Sequence, residues 1–529
     1  MANFNFSEEQ NRIFDFAEHG IQNMIVQAVA GAGKTTTLIE CANRIKSDKK
    51  IMLLSHNRST RDTLAEKIGD KKNVRVYTIH GLAYRMFVEH FGFNPNIDDD
   101  KYRNYINKNM NELGTEAYFE LPRNAKMMYK SNAFDLLNKA RYNLKKSERE
   151  LKRLAEKKYN MILIADECAF VNKILEWGYN KTDVVDFQDL LWYPSQYGYF
   201  TKMYTADIIM LDEAQDASIA QQDVISRCFK RETRMFSFGD RDQAINSWCG
   251  SDTDSFEHLK DTTQFRRDSV EFPLTTNYRC GTKIIEYAKR YTKNNIHARE
   301  NAPEGSVNFE THVNDIKNGD MVLCRNISPL MDFYRLGVSQ GKKMYFNGEE
   351  LGKSLITAID CSYGETPKEI IDSLKHRLIA TWDFFTEESG LDKKETMTNP
   401  IILSLLDNIK AIESFPKTVE TRTDVEKFIN DVFSNEENGG IELSTIHRAK
   451  GLEADNVFII CPSLIPSQLA ESQWEIEEEK HLQYVMCTRP KNSLNFVSES
   501  EIRPKNFFLE KNMLYKELET IRTEIEKDE

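Results

Sequence analysis

The stretch Ala28-Val29-Ala30-Gly31-Ala32-Gly33-Lys34-Thr35 constrains this chain more than any other. An apolar run, Met24-Ile25-Val26, precedes it and reads as a buried strand. Thr36-Thr37-Leu38-Ile39-Glu40 follows and reads as a helix start. Strand, glycine-rich loop and helix form the setting in which backbone N–H groups cradle phosphates. Gly31 and Gly33 let the backbone approach closely, and the helix N-terminus offers a positive dipole end. Ala30, Ala32 and Thr36 share that cradle. Lys34 is placed to neutralise β- and γ-phosphates, and the Thr35 hydroxyl to ligate Mg²⁺. The usual spacing G-x-x-x-x-G-K-[ST] has lost its first glycine, which is Ala28 here.

A second element supplies the rest of the metal chemistry. Ile208 to Leu211 is a short apolar run, expected as a central parallel strand. Asp212 at its end would hold Mg²⁺, directly or through water. Glu213 would orient and deprotonate an attacking water. An isolated Asp-Glu pair is usually a solvated strand end, and it is the phosphate loop upstream that gives this one meaning.

With 529 residues the chain is too long for one core, and two to four domains are expected. Apolar content of 40% and charged content of 29% fit a globular protein. No run of eighteen apolar residues is present, and the start, Met1 to Glu9, has neither a basic nor an apolar signal region. Nine cysteines without a C-x-x-C pair argue for reduced thiols and against a zinc ribbon or iron–sulfur cluster. The expected location is therefore cytoplasmic, away from membranes. A net charge of −12 does not advertise nucleic-acid binding, which must come from local patches. One such patch, Leu121 to Asn160, holds twelve Lys/Arg against four acids in a helical pattern. It reads either as a solvated helix face or as a phosphate-tracking surface.

Further motifs appear in order: Thr78-Ile79-His80-Gly81-Leu82-Ala83, Gly239-Asp240-Arg241-Asp242-Gln243, Asn277-Tyr278-Arg279, Thr445-Ile446-His447-Arg448-Ala449-Lys450-Gly451-Leu452-Glu453 and Tyr484-Val485-Met486-Cys487-Thr488-Arg489. With them the chain resembles a superfamily 1 helicase of the UvrD/Rep/PcrA type, from Gln10 to about Val497. The resemblance implies an α/β fold of two tandem RecA-like P-loop cores, each with a mainly helical insertion. It further implies ATP with Mg²⁺ in a cleft between the cores and single-stranded DNA running across both. Arg279 and Arg489 would stabilise transition-state charge. Gln10 would read the adenine edge, Tyr278 would stack on the base, Gln243 would contact the γ-phosphate and Glu453 the ribose. For the strand, Trp248 would stack on a base, while Asn57, Thr78, His80, Arg325, Thr445 and His447 would line the phosphate backbone. Asn246 and Cys249 replace residues the family usually keeps as an aromatic and an arginine, so fewer stacking contacts are expected. His56 offers a ring in their place.

Along the chain, the first core is expected over 1–90 and 186–271, around a helical basic insertion at 91–185. The second is expected over 272–355 and 440–505, around a short helical insertion at 356–439 that ends in the breaker run Ser434 to Gly440. Residues 506–529 read as one charged helix that then frays. Nothing after the last motif has room for a nuclease. The leading expectation is an ATP-dependent 3′→5′ DNA translocase and helicase acting on single-stranded DNA and single-/double-strand junctions in a bacterial or phage-infected cell. The rival is an ATP-switched DNA-binding or regulatory subunit that serves a protein partner (a nuclease, or a replication, repair or defence factor) and unwinds little. An RNA strand is the third option, because stacking and phosphate contacts carry little sugar information.

Overall fold

The computed structural model describes residues 6–121, 123–199, 201, 203–245, 255–256, 268–347, 349–433, 439–502 and 508–528. The chain divides into two compact units, Met1–Thr276 and Asn277–Glu529.

The first unit is built on β1 (Asn23–Ala28), β2 (Ile51–Ser55), β3 (Val74–Thr78), β6 (Ile208–Leu211), β7 (Arg234–Gly239) and β8 (Ser269–Leu274), in the order β3-β2-β6-β7-β1-β8. A two-residue ladder of β4 (Asn96–Ile97) and β5 (Val184–Val185) stands apart at the base of the insertion. Every pairing in the large sheet is parallel. β1, β2, β6 and β7 are buried along their whole length. That explains why they read as continuous apolar runs rather than alternating ones. Parallel strands deliver their C-terminal ends to one edge. Ala28, Ser55, Thr78, Leu211 and Gly239 therefore finish side by side, although some 200 residues of sequence separate the first from the last. The helices that follow are α1 (Glu8–His19, before β1), α2 (Lys34–Arg44), α3 (Arg58–Ile68) and α4 (Ile79–Phe91).

Two boundaries differ from the sequence reading. The division expected at 271/272 falls inside β8, which pairs with β1 from Ser269 to Leu274, so the first unit runs on to Thr276. β8 is an edge strand, half-buried and carrying Pro273, and both traits hide a strand from a periodicity reading. In the insertion, the basic run is not one solvated face. Arg141 is 1% exposed and paired with Asp186 and Asp189, while Lys146, Arg149, Lys152, Arg153 and Lys157 stay exposed.

The second unit repeats the plan. A short ladder of β9 (Thr276–Asn277) and β10 (His297–Ala298) leads into β11 (Ser306–Thr311), β12 (Met321–Cys324), β13 (Met344–Phe346), β14 (Ile441–Thr445), β15 (Ala454–Ile459) and β16 (Pro490–Val497). The six form an all-parallel sheet in the order β11-β16-β15-β12-β14-β13. The insertion begins earlier than expected, because the helix Glu349–Asp360 runs unbroken through 355/356. A Cβ at Gly352 would sit 2.9 Å from Phe433 Cβ, so this helix lies tight on the insertion. The C-terminal helix expected from the charged tail is Lys511–Asp528. Leu514, Leu518 and Ile521 form a buried stripe, and Arg522 holds Asp383 of the helix Pro367–Ser389 with two bonds of 2.6 and 2.8 Å. Charged composition hid that stripe. Among the described residues no helix is long and apolar enough to cross a membrane, and the cysteines are all free.

Candidate active site and strand track

The loop after β1 turns with Gly31 at φ +66° and Gly33 at φ +73°, a left-handed backbone that disfavours other residues. Gly33 caps α2, so its first N–H groups and Lys34 face the sheet edge. There the Thr35 hydroxyl donates to Asp212 Oδ2 at 3.3 Å, and Lys34 Nζ pairs with Glu213 Oε2 at 2.5 Å. Ala30 and Ala32 are buried beneath the loop, and Thr36 sits half-buried on the first turn of α2. Gln10 is 5% exposed: its amide donates to Thr37 Oγ1 at 3.0 Å and accepts from Ser7 N at 3.0 Å. It therefore fastens α1 to the first turn of α2, beside the loop.

Burial governs the electrostatics. It raises the Asp212 carboxyl to about 6, with Glu213 adding to the rise and Lys34 opposing it. Burial alone would lower Lys34, but Glu213, Asp212 and Asp240 outweigh it and hold the ammonium above its usual value. Thr35 and Asp212 present hard oxygen donors to one point, which suits Mg²⁺, a metal that keeps waters and phosphate oxygens as its remaining ligands. Among the described residues no larger His/Cys/Asp/Glu cluster competes for a metal. Glu213 itself sits at φ +54°, a strained conformation for a side-chain-bearing residue that costs about 1–3 kcal/mol and clusters at functional sites.

Sequence reasoning missed the residues that hold Glu213. Gln215 donates to Glu213 Oε2 at 2.7 Å and accepts from the Asp240 N–H at 3.1 Å. A Cβ at Gly239 would lie 2.2 Å from Gln215 Oε1, so only glycine admits this bridge. Asp240 in turn accepts from Gln243 at 2.7 Å and from Gln27 at 3.2 Å, and burial, then Asp242, raises it to about 7. The imidazole of His56 donates from Nε2 to the Glu213 carbonyl at 3.1 Å. It is therefore engaged at the catalytic edge. Asp240 lies within the motif Gly239 to Gln243 and Gln215 two residues after Glu213, and that closeness is the available signal.

In the second unit Tyr278 is 39% exposed, so its ring is free to stack. Arg279 pairs with Glu453 at 2.6 Å and donates to the Thr488 carbonyl at 3.1 Å. Lys491 also holds Glu453, at 2.9 Å, and against burial these two cations keep that carboxyl below its usual range. Arg489, expected at a phosphate, is 1% exposed. Its guanidinium donates to the carbonyls of Val485, Ala449 and Leu452 and to the Thr488 hydroxyl. In this arrangement it braces the turn that carries Glu453.

The strand residues fall into two groups. Asn57 and Thr78 cap α3 and α4 at the same edge as the P-loop. His80 lies one turn on, and burial, with His56 nearby, lowers its imidazole to about 4, leaving it neutral at physiological pH. Arg325, Thr445 and His447 lie in the second unit. Arg325 pairs with Glu479 at 2.7 Å, Thr445 is 7% exposed, and burial and Arg325 push His447 well below its ordinary value. Trp248, with Asn246 and Cys249, lies outside the described residues.

Two parallel α/β units, the first with a phosphate loop facing a strand-end Asp-Glu pair, define a P-loop nucleotide-binding protein with tandem cores. Residues 7–264 match the UvrD/REP helicase N-terminal domain, and residues 363–501 match the UvrD-like helicase C-terminal domain. The chain belongs to the UvrD/Rep-type superfamily 1 helicases. A probable DNA helicase II homolog of Mycoplasma pneumoniae is 26% identical over 54% of this chain and 42% of its own length. The F-box DNA helicase protein 1 of Schizosaccharomyces pombe is 23% identical over 92% of this chain and 57% of its own. The ATP-dependent DNA helicase Rep of Buchnera aphidicola is 38% identical over a short stretch, 15% of this chain and 12% of its own. The chain thus spans little more than half of the longest-matching of these relatives, and less of the others.

Proposed function

We propose that the chain hydrolyses ATP to move 3′→5′ along single-stranded DNA and to open duplexes at single-/double-strand junctions. The observation that carries this reading is the shared edge of the first sheet. Lys34, Thr35, Asp212 and Glu213 stand at strand ends next to Asn57, Thr78 and His80, so phosphate chemistry and strand contacts are built on one rigid element. Incoming phosphates compete with Glu213 for Lys34, and the freed carboxylate orients a water and takes its proton. Gln215 keeps Glu213 aimed while the proton moves. Thr35 and Asp212 would hold Mg²⁺, which would supply neutralisation of phosphate charge. Arg279 adds positive charge as the γ-phosphoryl leaves, Tyr278 stacks on the base and Glu453 holds the ribose. Arg489 serves chiefly by positioning the turn before Glu453.

Steady-state ATPase without nucleic acid, with single-stranded DNA and with single-stranded RNA tests the reading. Strong stimulation by DNA, then unwinding of a 3′-tailed but not a 5′-tailed duplex, is the expected outcome. Stimulation without unwinding of either substrate would favour the ATP-switched subunit acting with a protein partner. No stimulation by either strand would overturn the motor.

A further inference from the structure

Beside Thr78 and His80 the first unit opens into a cavity of about 690 Å³ that shares no lining residue with the P-loop. Tyr77 at the end of β3, Tyr84 on α4 and Tyr204 in the segment before β6 form its aromatic walls, each half-buried. Their rings are held in place. Tyr77 and Tyr204 meet edge to face at 6.1 Å, the Arg85 guanidinium lies 5.4 Å over the Tyr77 ring, and the Tyr84 hydroxyl donates to Asn94 at 3.2 Å.

The charge of the lining is as informative as its rings. Arg58, Arg61 and Arg85 face a single carboxylate, Glu89, which already accepts from the Thr201 hydroxyl and the Met203 N–H. Arg61 pairs with its neighbour Asp62, but among the described residues Arg58 and Arg85 have no ion-pair partner. The rim is apolar, with Met203 67% exposed and Ile97 41% exposed. A peptide groove would be longer and more evenly apolar. Fixed aromatic faces, guanidinium groups without an ion-pair partner and a volume ample for one nucleotide suit a base with its phosphate.

We propose that this cavity receives one unstacked base of a single strand, with the flanking phosphates on Arg58 and Arg85. The proposal rests on the reading of Thr78 and His80 as contacts to the strand's backbone. Base stacking tolerates any sequence, so the cavity would demand a base at one position without demanding which base.

The test uses the full chain and short oligothymidylates, DNA and RNA, each with one abasic site moved step by step along the strand. Binding is read by fluorescence anisotropy. Apart from any position stacked on Trp248, one sensitive position is expected, with affinity lower there by about 5- to 100-fold. That sensitivity should vanish in Tyr204→Ala and Tyr84→Ala but persist in Tyr204→Phe. A 2-aminopurine at that position should be quenched on binding to the wild type. Sensitivity in both the DNA and RNA arms would mark a reader of bases alone. Sensitivity in one arm would place a sugar contact beside the same base. A flat scan at normal affinity would overturn the cavity's role and leave the strand reading standing, whereas failure to bind either strand would overturn both. A scan in which every sensitive position survives both alanine variants would also overturn the proposal, since the bases would then all be held elsewhere.

Discussion

The ion pair between Lys34 and Glu213 sets what each residue can do. Glu213→Gln keeps the shape but cannot accept a proton. Turnover should fall by about 10²–10⁴-fold while binding of a fluorescent ATP analogue persists; an unchanged rate would remove Glu213 as base. Protonation of Asp212 gives a second prediction. Its carboxyl is raised to about 6, so from about pH 4 up to that value the folded chain keeps a proton that the unfolded chain has released. Its contribution to stability is therefore present below about pH 4 and is lost as pH rises through about 6. Metal binding needs the carboxylate, so the gain in Tm on adding Mg-ADP should grow between about pH 5 and about pH 7 and then level off. A pH-independent gain would take Asp212 out of the metal site. His56 bonds the backbone of strained Glu213 and lies near His80. His56→Ala should therefore reduce DNA-stimulated turnover more than basal turnover. Equal loss of both would reduce His56 to a support for Glu213.

At the scale of elements, the insertion is fastened to the first core by charge as well as by apolar packing. Arg141 on the helix Arg123–Tyr142 reaches Asp186 at 2.7 Å and Asp189 at 3.1 Å. Lys101 on the helix Lys101–Leu113 reaches Asp189 at 2.5 Å, and the Tyr102 hydroxyl donates to the same carboxylate. Removing one partner from such a buried set leaves an uncompensated charge, so Arg141→Ala should cost about 3–5 kcal/mol in urea unfolding. Arg141→Lys should recover only part, because a lysine cannot reproduce the guanidinium fork. A cost under about 1 kcal/mol would mean that water reaches the network. This network also marks how far the sequence could be read. Residue 186 is the expected start of the return into the first core and Arg141 is one of twelve basic residues, yet nothing in the spacing of Arg141 and Asp186 pairs them. Strands buried on both faces, such as Ile208–Leu211 and Met321–Cys324, were legible because burial makes their apolar runs continuous. The edge strand β8 and the apolar stripe under the last helix were not, since half-burial and charged neighbours mask both. In the active site the phosphate loop and the Asp212-Glu213 pair were legible from short-range order. The Gln215–Asp240 bridge depends on the register between β6 and β7, which no local pattern encodes.

For the molecule as a whole, a net charge of −12 means that any strand must be held by local cations against a repulsive background. Two patches compete for that role. One is Arg58, Arg61 and Arg85 around the cavity beside Thr78, and the other is the exposed part of the basic run, Lys146, Arg149, Lys152, Arg153 and Lys157. Salt dependence separates them, because each phosphate neutralised on a single strand contributes about −0.7 to the slope of log affinity against log salt. Changing all five residues of the basic run to glutamine should leave that slope within about one contact of the wild type if the run is a solvated helix face. It should make the slope shallower by about 3.5 if the run tracks phosphates. Changing Arg58 and Arg85 to glutamine should make it shallower by about 1.4 in either case. The placement of Arg58 and Arg85 beside Asn57, Thr78 and His80, on the edge that carries Glu213, predicts the first pattern. A strand gripped there pulls on the element that aims the catalytic carboxylate, whereas a strand gripped on the basic run would be held by the helices of the insertion. Variants of the first patch should therefore lose DNA-stimulated ATPase together with affinity, and variants of the second should retain stimulation at saturating DNA.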